Sequence, residues 1–176
     1  MGQGPLVEWI AEQDQFARLK HENFRRAAEA VALAFACLPE VAAISLFGSV
    51  AFPLKTRKTR RGQEMLHDCK DVDLAVWIDH TDNLAGLQRA RSRALAALFA
   101  EHSIGVAHHQ VDVFLIEPGS NRYLGRLCNF GSCPKGHSAC RVPGCGRTPL
   151  LKQHHVFVFD PDALAKIRVV RLYVRS

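Results

Sequence analysis

The sequence predicts an α+β (α/β) domain in which helices flank a small mixed β-sheet. Apolar residues recur at three- and four-residue steps in segments 5–38 and 83–100, which is typical of amphipathic helices. Three short segments, 41–47, 71–78 and 110–116, have instead the continuous or alternating apolar pattern of β-strands. Helices that alternate with strands in this way indicate layers of helix packed on a sheet.

The N-terminal segment, residues 1–40, is predicted to be helical, in one helix or two. Pro39 is expected to end it. Cys37, at the end of its apolar face, is expected to be a small core residue. The clearest apolar stripe consists of Phe24, Ala27, Ala28, Val31, Ala34, Phe35 and Leu38.

The segment 41–118 is predicted to contain three strands and a second helix. The Gly48-Ser49 turn follows the first strand and is expected to open a short helix through Ala51. Thr81 or Asp82 is expected to cap the helix over 83–100. The inner face of this helix carries Leu84, Leu87, Ala90, Ala94 and Leu98, and its outer face carries Arg89 and Arg93. Farther along, segment 154–159 is a candidate fourth strand, and segment 163–174 is compatible with helix or strand.

Length and composition favour one domain over residues 1–176. The chain has 48% hydrophobic and 23% charged residues, as globular proteins do. No apolar segment approaches the ~20 residues that span a bilayer, and the N-terminal residues lack the pattern of a secretory signal. We therefore expect a cytoplasmic protein in a reducing environment, with no membrane partner.

The formal net charge of +6 is concentrated in one place, since segment 55–61 holds five cations. This basic segment is suited to a triphosphate or a nucleic-acid backbone. It is equally compatible with a solvated loop that keeps the protein soluble. Its position beside the predicted carboxylate strands tilts the interpretation slightly toward an anionic substrate.

Three aspartates on the predicted strands are the candidate catalytic residues. Asp71 and Asp73 point to the same face of the second strand because strand side chains alternate, and Asp112 lies on the third strand. Two carboxylates at ~4 Å repel by about 4 kcal/mol at an effective dielectric constant of 20, unless a cation lies between them. A divalent metal with oxygen ligands would remove this repulsion. The alternative, that the aspartates only terminate strands or cap helices, is strongest for Asp71.

The three segments FGSVA, DVDLAVW and QVDVFLI together resemble the nucleotidyltransferase superfamily. This superfamily includes DNA polymerase beta, the aminoglycoside nucleotidyltransferases and the minimal nucleotidyltransferases of prokaryotes. Its pattern is a strand that ends in Gly-Ser, a second strand with Asp-x-Asp and a third strand with one Asp. The resemblance covers about residues 41–118, the expected catalytic core. The longer basic connection over residues 51–70 departs from the short family connection, and His67 and Cys69 at its end are expected to be incidental.

The resemblance implies a Mg²⁺-dependent transfer of a nucleoside monophosphate from an NTP to an acceptor hydroxyl, with release of pyrophosphate. Gly48 and Ser49 would bind the triphosphate. Asp71 and Asp73 would bind Mg²⁺, and Asp112 would complete a second metal site and help to deprotonate the acceptor. The acceptor would be a nucleic acid, a protein side chain or a small molecule, and a helical partner subunit is plausible by the same resemblance. A catalytically silent binding module or antitoxin-type protein with this fold is the alternative.

A cysteine-rich segment, residues 128–146, carries Cys128, Cys133, Cys140 and Cys145 with the spacing C-x4-C-x6-C-x4-C. Four thiolates can bind a structural Zn²⁺ ion, which would fold a segment that has few apolar residues of its own. His137 is a candidate to replace one cysteine. Disulfides and free thiols are the alternatives. A third functional hypothesis follows, a zinc-ribbon protein that binds nucleic acid through basic residues.

Overall fold

The computed structural model describes residues 4–129, 148–152 and 169–176. In these residues the chain forms two α-helices, a six-stranded sheet and a separate two-stranded hairpin. The helices are α1 (Gly4–Ala36) and α2 (Leu84–His102). The strands are β1 (Val41–Phe47), β2 (Thr56–Lys58), β3 (Glu64–Leu66), β4 (Val72–Ile78), β5 (Val111–Ile116), β6 (Tyr123–Leu127), β7 (Leu151–Lys152) and β8 (Val170–Val174).

The sheet is mixed, with the strand order β7-β6-β5-β4-β1-β8. β4 and β5 are parallel, and α2 lies in the connection between them. The other neighbouring pairs are antiparallel. This arrangement confirms the predicted α+β class with a small mixed sheet.

One face of the sheet packs against both helices. Its core joins the apolar side of α1, including Phe24 and Phe35, to Leu87 and Leu98 of α2. The strands contribute mainly alternate residues, which are Ile44, Leu46, Val72, Leu74, Val76, Ile78, Val111, Val113 and Leu115. Most of the stripe predicted for α1 is therefore buried as expected, since Phe24, Ala27, Ala28, Val31 and Phe35 are 0–2% exposed.

The intervening strand residues form a smaller cluster on the other face. Ala75, Phe114 and Ile116 are buried there, with partly buried aromatic side chains packed against them. The rings of Phe47 and Phe114 meet edge to face, with centroids 5.4 Å apart. Asp73 and Asp112 belong to this second face by strand alternation, two residues before Ala75 and Phe114.

The described helices differ in detail from the prediction. Residues 4–36 form one continuous helix, and Cys37 just beyond it is exposed rather than part of the core. Asn83, not Thr81 or Asp82, caps α2, because its side-chain oxygen accepts a hydrogen bond from the Gly86 amide at 3.1 Å. Ser103, with φ of 56°, ends the helix in the left-handed conformation.

The strands begin slightly later than predicted, at Val72 and Val111, so Asp71 precedes β4. The ambiguous segment 163–174 contains β8, which pairs with β1, at its end. The predicted strand over 154–159 lies outside the described residues, as do Cys133, Cys140, Cys145 and His137. No helix in the described part of the chain has the combination of length and apolarity that crossing a membrane requires.

The basic connection forms the β2–β3 hairpin, which α1 holds in place. The amide of Leu66 donates a hydrogen bond to Asp14 Oδ1 at 2.7 Å. Lys20 Nζ lies 2.8 Å from Asp68 Oδ2. Met65 and Leu66 are each only 8% exposed. The hairpin is therefore a packed element, although its cationic side chains remain exposed.

Candidate active site

The structure brings two of the predicted aspartates side by side. Asp73 and Asp112 are register partners at the N-terminal ends of the parallel strands β4 and β5. Side chains at such positions lie on the same face of the sheet. Asp71 is two residues earlier, just outside β4, and its charge acts on Asp73.

Burial and charge repulsion both perturb Asp73. Burial is the largest cause, followed by the negative charges of Asp112 and Asp71, and together they raise the pKa of Asp73 from 3.8 to about 7. The charge of Arg126 opposes this change. An ionised Asp73 is therefore costly in this position, and a further cation beside it would be stabilising.

Arg126 is a site residue that sequence analysis did not identify. It lies on β6, and its Nη1 atom is 2.5 Å from Asp112 Oδ2. Both side chains are largely buried, with 18% of Arg126 and 14% of Asp112 exposed. The arginine neutralises part of the negative charge, so an internal cation already accompanies the carboxylate pair.

Gly48 brings the turn after β1 into direct contact with Asp73. Its neighbour Phe47 is the register partner of Asp73 on the antiparallel strand β1. Gly48 has φ of 73°, and a Cβ atom built on it would lie 2.2 Å from Asp73 Oδ2. The positive φ favours glycine at this position, and any larger residue would require the Asp73 carboxylate to move. The long connection after this turn has therefore not moved it away from the carboxylates.

Ser49 begins a short 3-10 turn, Ser49–Ala51, and is exposed. Its side chain forms a hydrogen bond with Cys69, a buried residue whose pKa is raised chiefly by burial. Gly48 and Ser49 also border a cavity of about 350 Å³, which includes His67 and Cys69 in its lining. The two residues expected to be incidental thus lie beside the predicted phosphate-binding turn.

Within residues 4–129, 148–152 and 169–176, no group of three or more His, Cys, Asp or Glu side chains is arranged to hold a metal ion. The structure thus unites Asp73 with Asp112 but does not assemble a three-ligand set with Asp71. The pair itself suits Mg²⁺ in its chemistry, because it offers carboxylate oxygens and because repulsion between the two groups favours a cation.

A buried arginine on α2 links the start of β5 to the cysteine-rich segment. Arg91 is 1% exposed, and it donates hydrogen bonds to the carbonyl oxygens of Val111 and Cys128 and to Asn129 Oδ1, at 3.3, 3.0 and 3.1 Å. Gln88 Nε2 donates to the same Cys128 carbonyl at 2.6 Å. Cys128, the first residue of the cysteine-rich segment, is buried. The hydrogen bonds from α2 therefore hold the start of this segment close to β5, the strand that carries Asp112.

Comparison of the chain with protein-family models, curated proteins and solved structures finds no match.

Proposed function

We propose that the protein is a Mg²⁺-dependent nucleotidyltransferase that transfers a nucleoside monophosphate from an NTP to an acceptor hydroxyl and releases pyrophosphate. The observation that carries the proposal is that Asp73 and Asp112 are register partners beside the glycine turn. Burial and the acidic neighbours of Asp73 raise the pKa of its carboxyl group. The order of the sheet motifs, Gly-Ser, Asp-x-Asp and a single Asp, supports it through the resemblance to nucleotidyltransferases. A nucleotidyltransferase-like fold for residues 41–118 is part of the same proposal.

Each proposed role follows from the position of a side chain or from the absence of one. Gly48 leaves the backbone of the turn open to phosphate oxygens, and Ser49, an exposed residue, adjoins it. Asp73 and Asp112 would hold Mg²⁺, with Asp71 at the edge of the site. A divalent ion would neutralise phosphate charge and lower the pKa of the acceptor hydroxyl. Asp112 would receive the acceptor proton.

The ion pair also favours a second candidate function, a catalytically silent nucleotide-binding module. If Arg126 remains on Asp112 in the working protein, its guanidinium supplies the positive charge that a metal would otherwise supply. Such a module would bind an NTP without turnover. Enzyme and silent module therefore differ in whether Mg²⁺ is required.

The test is turnover with labelled NTPs. We expect the purified protein, given Mg²⁺, each of the four α-labelled NTPs and a cell extract, to label one acceptor and release pyrophosphate. Asp73→Asn and Asp112→Asn should abolish labelling. Asp82→Asn, which changes a carboxylate that is 89% exposed, is the matched control and should label normally. Nucleotide binding without labelling under all conditions would contradict the enzyme and support the silent module.

A structural Zn²⁺ ion at the four cysteines also remains a proposal. Of these cysteines, Cys128 lies in the described residues, where α2 holds its carbonyl. One zinc per chain by elemental analysis of reduced protein would support the site, and none would contradict it.

A further inference from the structure

The cavity beside Gly48 and Ser49 is enclosed partly by the basic connection, residues 51–70, which is inserted between the Gly48-Ser49 turn and β4. It lies between this turn, the segment 52–56 that leads into β2, and His67 and Cys69 beyond β3. Its volume of about 350 Å³ falls within the range of ~300–1,000 Å³ that is usual for small-molecule sites. It shares its Gly48-Ser49 edge with the proposed phosphate site, so one ligand can occupy both.

Contacts with α1 and across the hairpin hold the walls of the cavity in place. His21 Nε2 donates a hydrogen bond to the Phe52 carbonyl oxygen at 2.8 Å. At the other wall, the His67 amide donates to the Lys55 carbonyl oxygen at 2.7 Å. The anchoring of the hairpin by Asp14 and Lys20 adds to this support. A preformed cavity of this kind lowers the cost of ordering its lining when a ligand binds.

The lining combines apolar walls with a few polar groups. Phe52, Pro53 and Leu54 provide apolar surface, and the buried Cys69 lies at the inner end beside Ser49. Thr56 and His67 can form hydrogen bonds with a ligand. Lys55 adds a positive charge. Apolar walls with few polar groups suit a flat heterocycle, and a cation in the lining suits a ligand that carries phosphate.

We propose that this cavity binds the base and ribose of the nucleotide whose phosphates lie at Gly48-Ser49. The inference rests on the proposed function, and it assigns the inserted connection, residues 51–70, to the substrate site. The connection would then select the nucleotide rather than serve as a solvated loop. An acceptor molecule in the same cavity is the competing occupant, and the experiment separates the two.

The experiment fills the cavity from two sides and measures binding by calorimetry. Thr56→Trp and His67→Trp replace exposed lining residues, so the fold should tolerate both. Lys58→Trp adds the same side chain at the other end of β2, outside the lining, and is the matched control. The probes are nonhydrolysable analogues of the four NTPs and inorganic tripolyphosphate, each with Mg²⁺ and the full chain.

We expect both lining variants to bind the preferred nucleotide analogue at least about tenfold more weakly than the wild type does, a loss of about 1.4 kcal/mol of binding free energy. Their affinity for tripolyphosphate, which has no base, should stay within about twofold of the wild type. The control should bind both probes as the wild type does. Loss of tripolyphosphate binding in the lining variants would contradict the inference, because the cavity would then hold phosphate.

Unchanged nucleotide affinity in both lining variants would also overturn the inference but leave the proposed function intact. If these variants then slowed only transfer to the acceptor, the acceptor would be the occupant. Failure of the wild type to bind any nucleotide or tripolyphosphate would instead refute the proposed function, and the inference with it. The two failures therefore give different results.

Discussion

On one face of the six-stranded sheet, Leu74 and Val113 pack beneath the two helices, whereas on the other face their neighbours Asp73 and Asp112 lie together beside Gly48. The first face buries apolar surface, which stabilises the fold at about 25 cal/mol per Å². The second face holds charges that burial makes costly. Adjacent residues of one strand thus have opposite effects on stability, and the destabilising ones are the candidates for function.

The largest expected effect is on turnover, and it should be shared by the two aspartates. Asp73→Asn and Asp112→Asn should each lower kcat by about 1,000-fold, or 4 kcal/mol, because both are proposed to hold the catalytic cation.

The two variants should differ in their free energy of unfolding. Asp73→Asn removes a repelled charge and should stabilise the metal-free protein at pH 8. Asp112→Asn leaves Arg126 largely buried without this partner and should destabilise the protein by about 3 kcal/mol.

Urea denaturation in EDTA, together with single-turnover kinetics, would check this pair of variants. Asp82→Asn is again the exposed control. Equal destabilisation by both substitutions would contradict the charge distribution described for the second face.

Leu74→Ala tests the helix-packed face directly next to Asp73. Leu74 is 0% exposed, and its truncation should lower the free energy of unfolding by about 3 kcal/mol through lost burial and a residual cavity. The folded fraction should keep its nucleotide affinity, since this side chain points away from the carboxylates. Leu74→Met, which nearly conserves volume, should cost less than about 1.5 kcal/mol. A stable Leu74→Ala protein that has lost nucleotide binding would show that the two faces are not separate in function.

The pH dependence of stability should also distinguish the faces. The folded-state pKa of Asp73 is raised from 3.8 to about 7, so its protonated form is favoured in the folded chain. Its contribution to stability is therefore complete below about pH 4 and is lost as pH rises through about 7. Between pH 5 and pH 8, metal-free wild-type protein should lose about 3 kcal/mol relative to Asp73→Asn. Parallel stability profiles for the two proteins, measured by urea denaturation in EDTA, would refute the raised pKa.

Gly48→Ala should have a smaller effect on stability than on function. Its φ of 73° disfavours alanine by about 1–2 kcal/mol, and the new Cβ would displace the Asp73 carboxylate. Gly62→Ala is a matched control, because Gly62 has φ of 80° but no atom other than those of its chain neighbours within 4 Å of the point where a Cβ would lie. Both variants should lose similar stability in thermal denaturation, while only Gly48→Ala should lose nucleotide affinity. Similar affinities for the two variants would show that close approach to Asp73 is unimportant.

The sequence predicts local features of the fold well. Strand alternation places Asp73 and Leu74 on opposite faces, and the apolar stripe of α1 matches its buried side, because both depend on periodicity within one element. The cap at Asn83 differs from prediction by one or two residues, since several polar residues in succession can serve as a cap.

Features that depend on distant partners could not be predicted in this way. Arg91 is buried, whereas Arg89 and Arg93 on the same helix are exposed. The sequence alone does not distinguish the three, because the carbonyl groups that accept hydrogen bonds from Arg91 lie 20 and 37 residues away. The Arg126–Asp112 ion pair likewise requires the pairing of β5 with β6. The sequence does not predict the hairpin, because β2 is Thr-Arg-Lys, which has no apolar alternation.

The most direct test of the central claim is the effect of Mg²⁺ on nucleotide-dependent stability. We predict that Mg²⁺ and a nonhydrolysable analogue of the preferred NTP together raise the Tm of wild-type protein, by an amount that grows with ligand concentration. The same mixture should leave Asp73→Asn unchanged, as should the analogue in EDTA for the wild type. An equal rise in Tm for wild type and Asp73→Asn, or for samples with and without Mg²⁺, would contradict a metal-dependent site at Asp73 and Asp112.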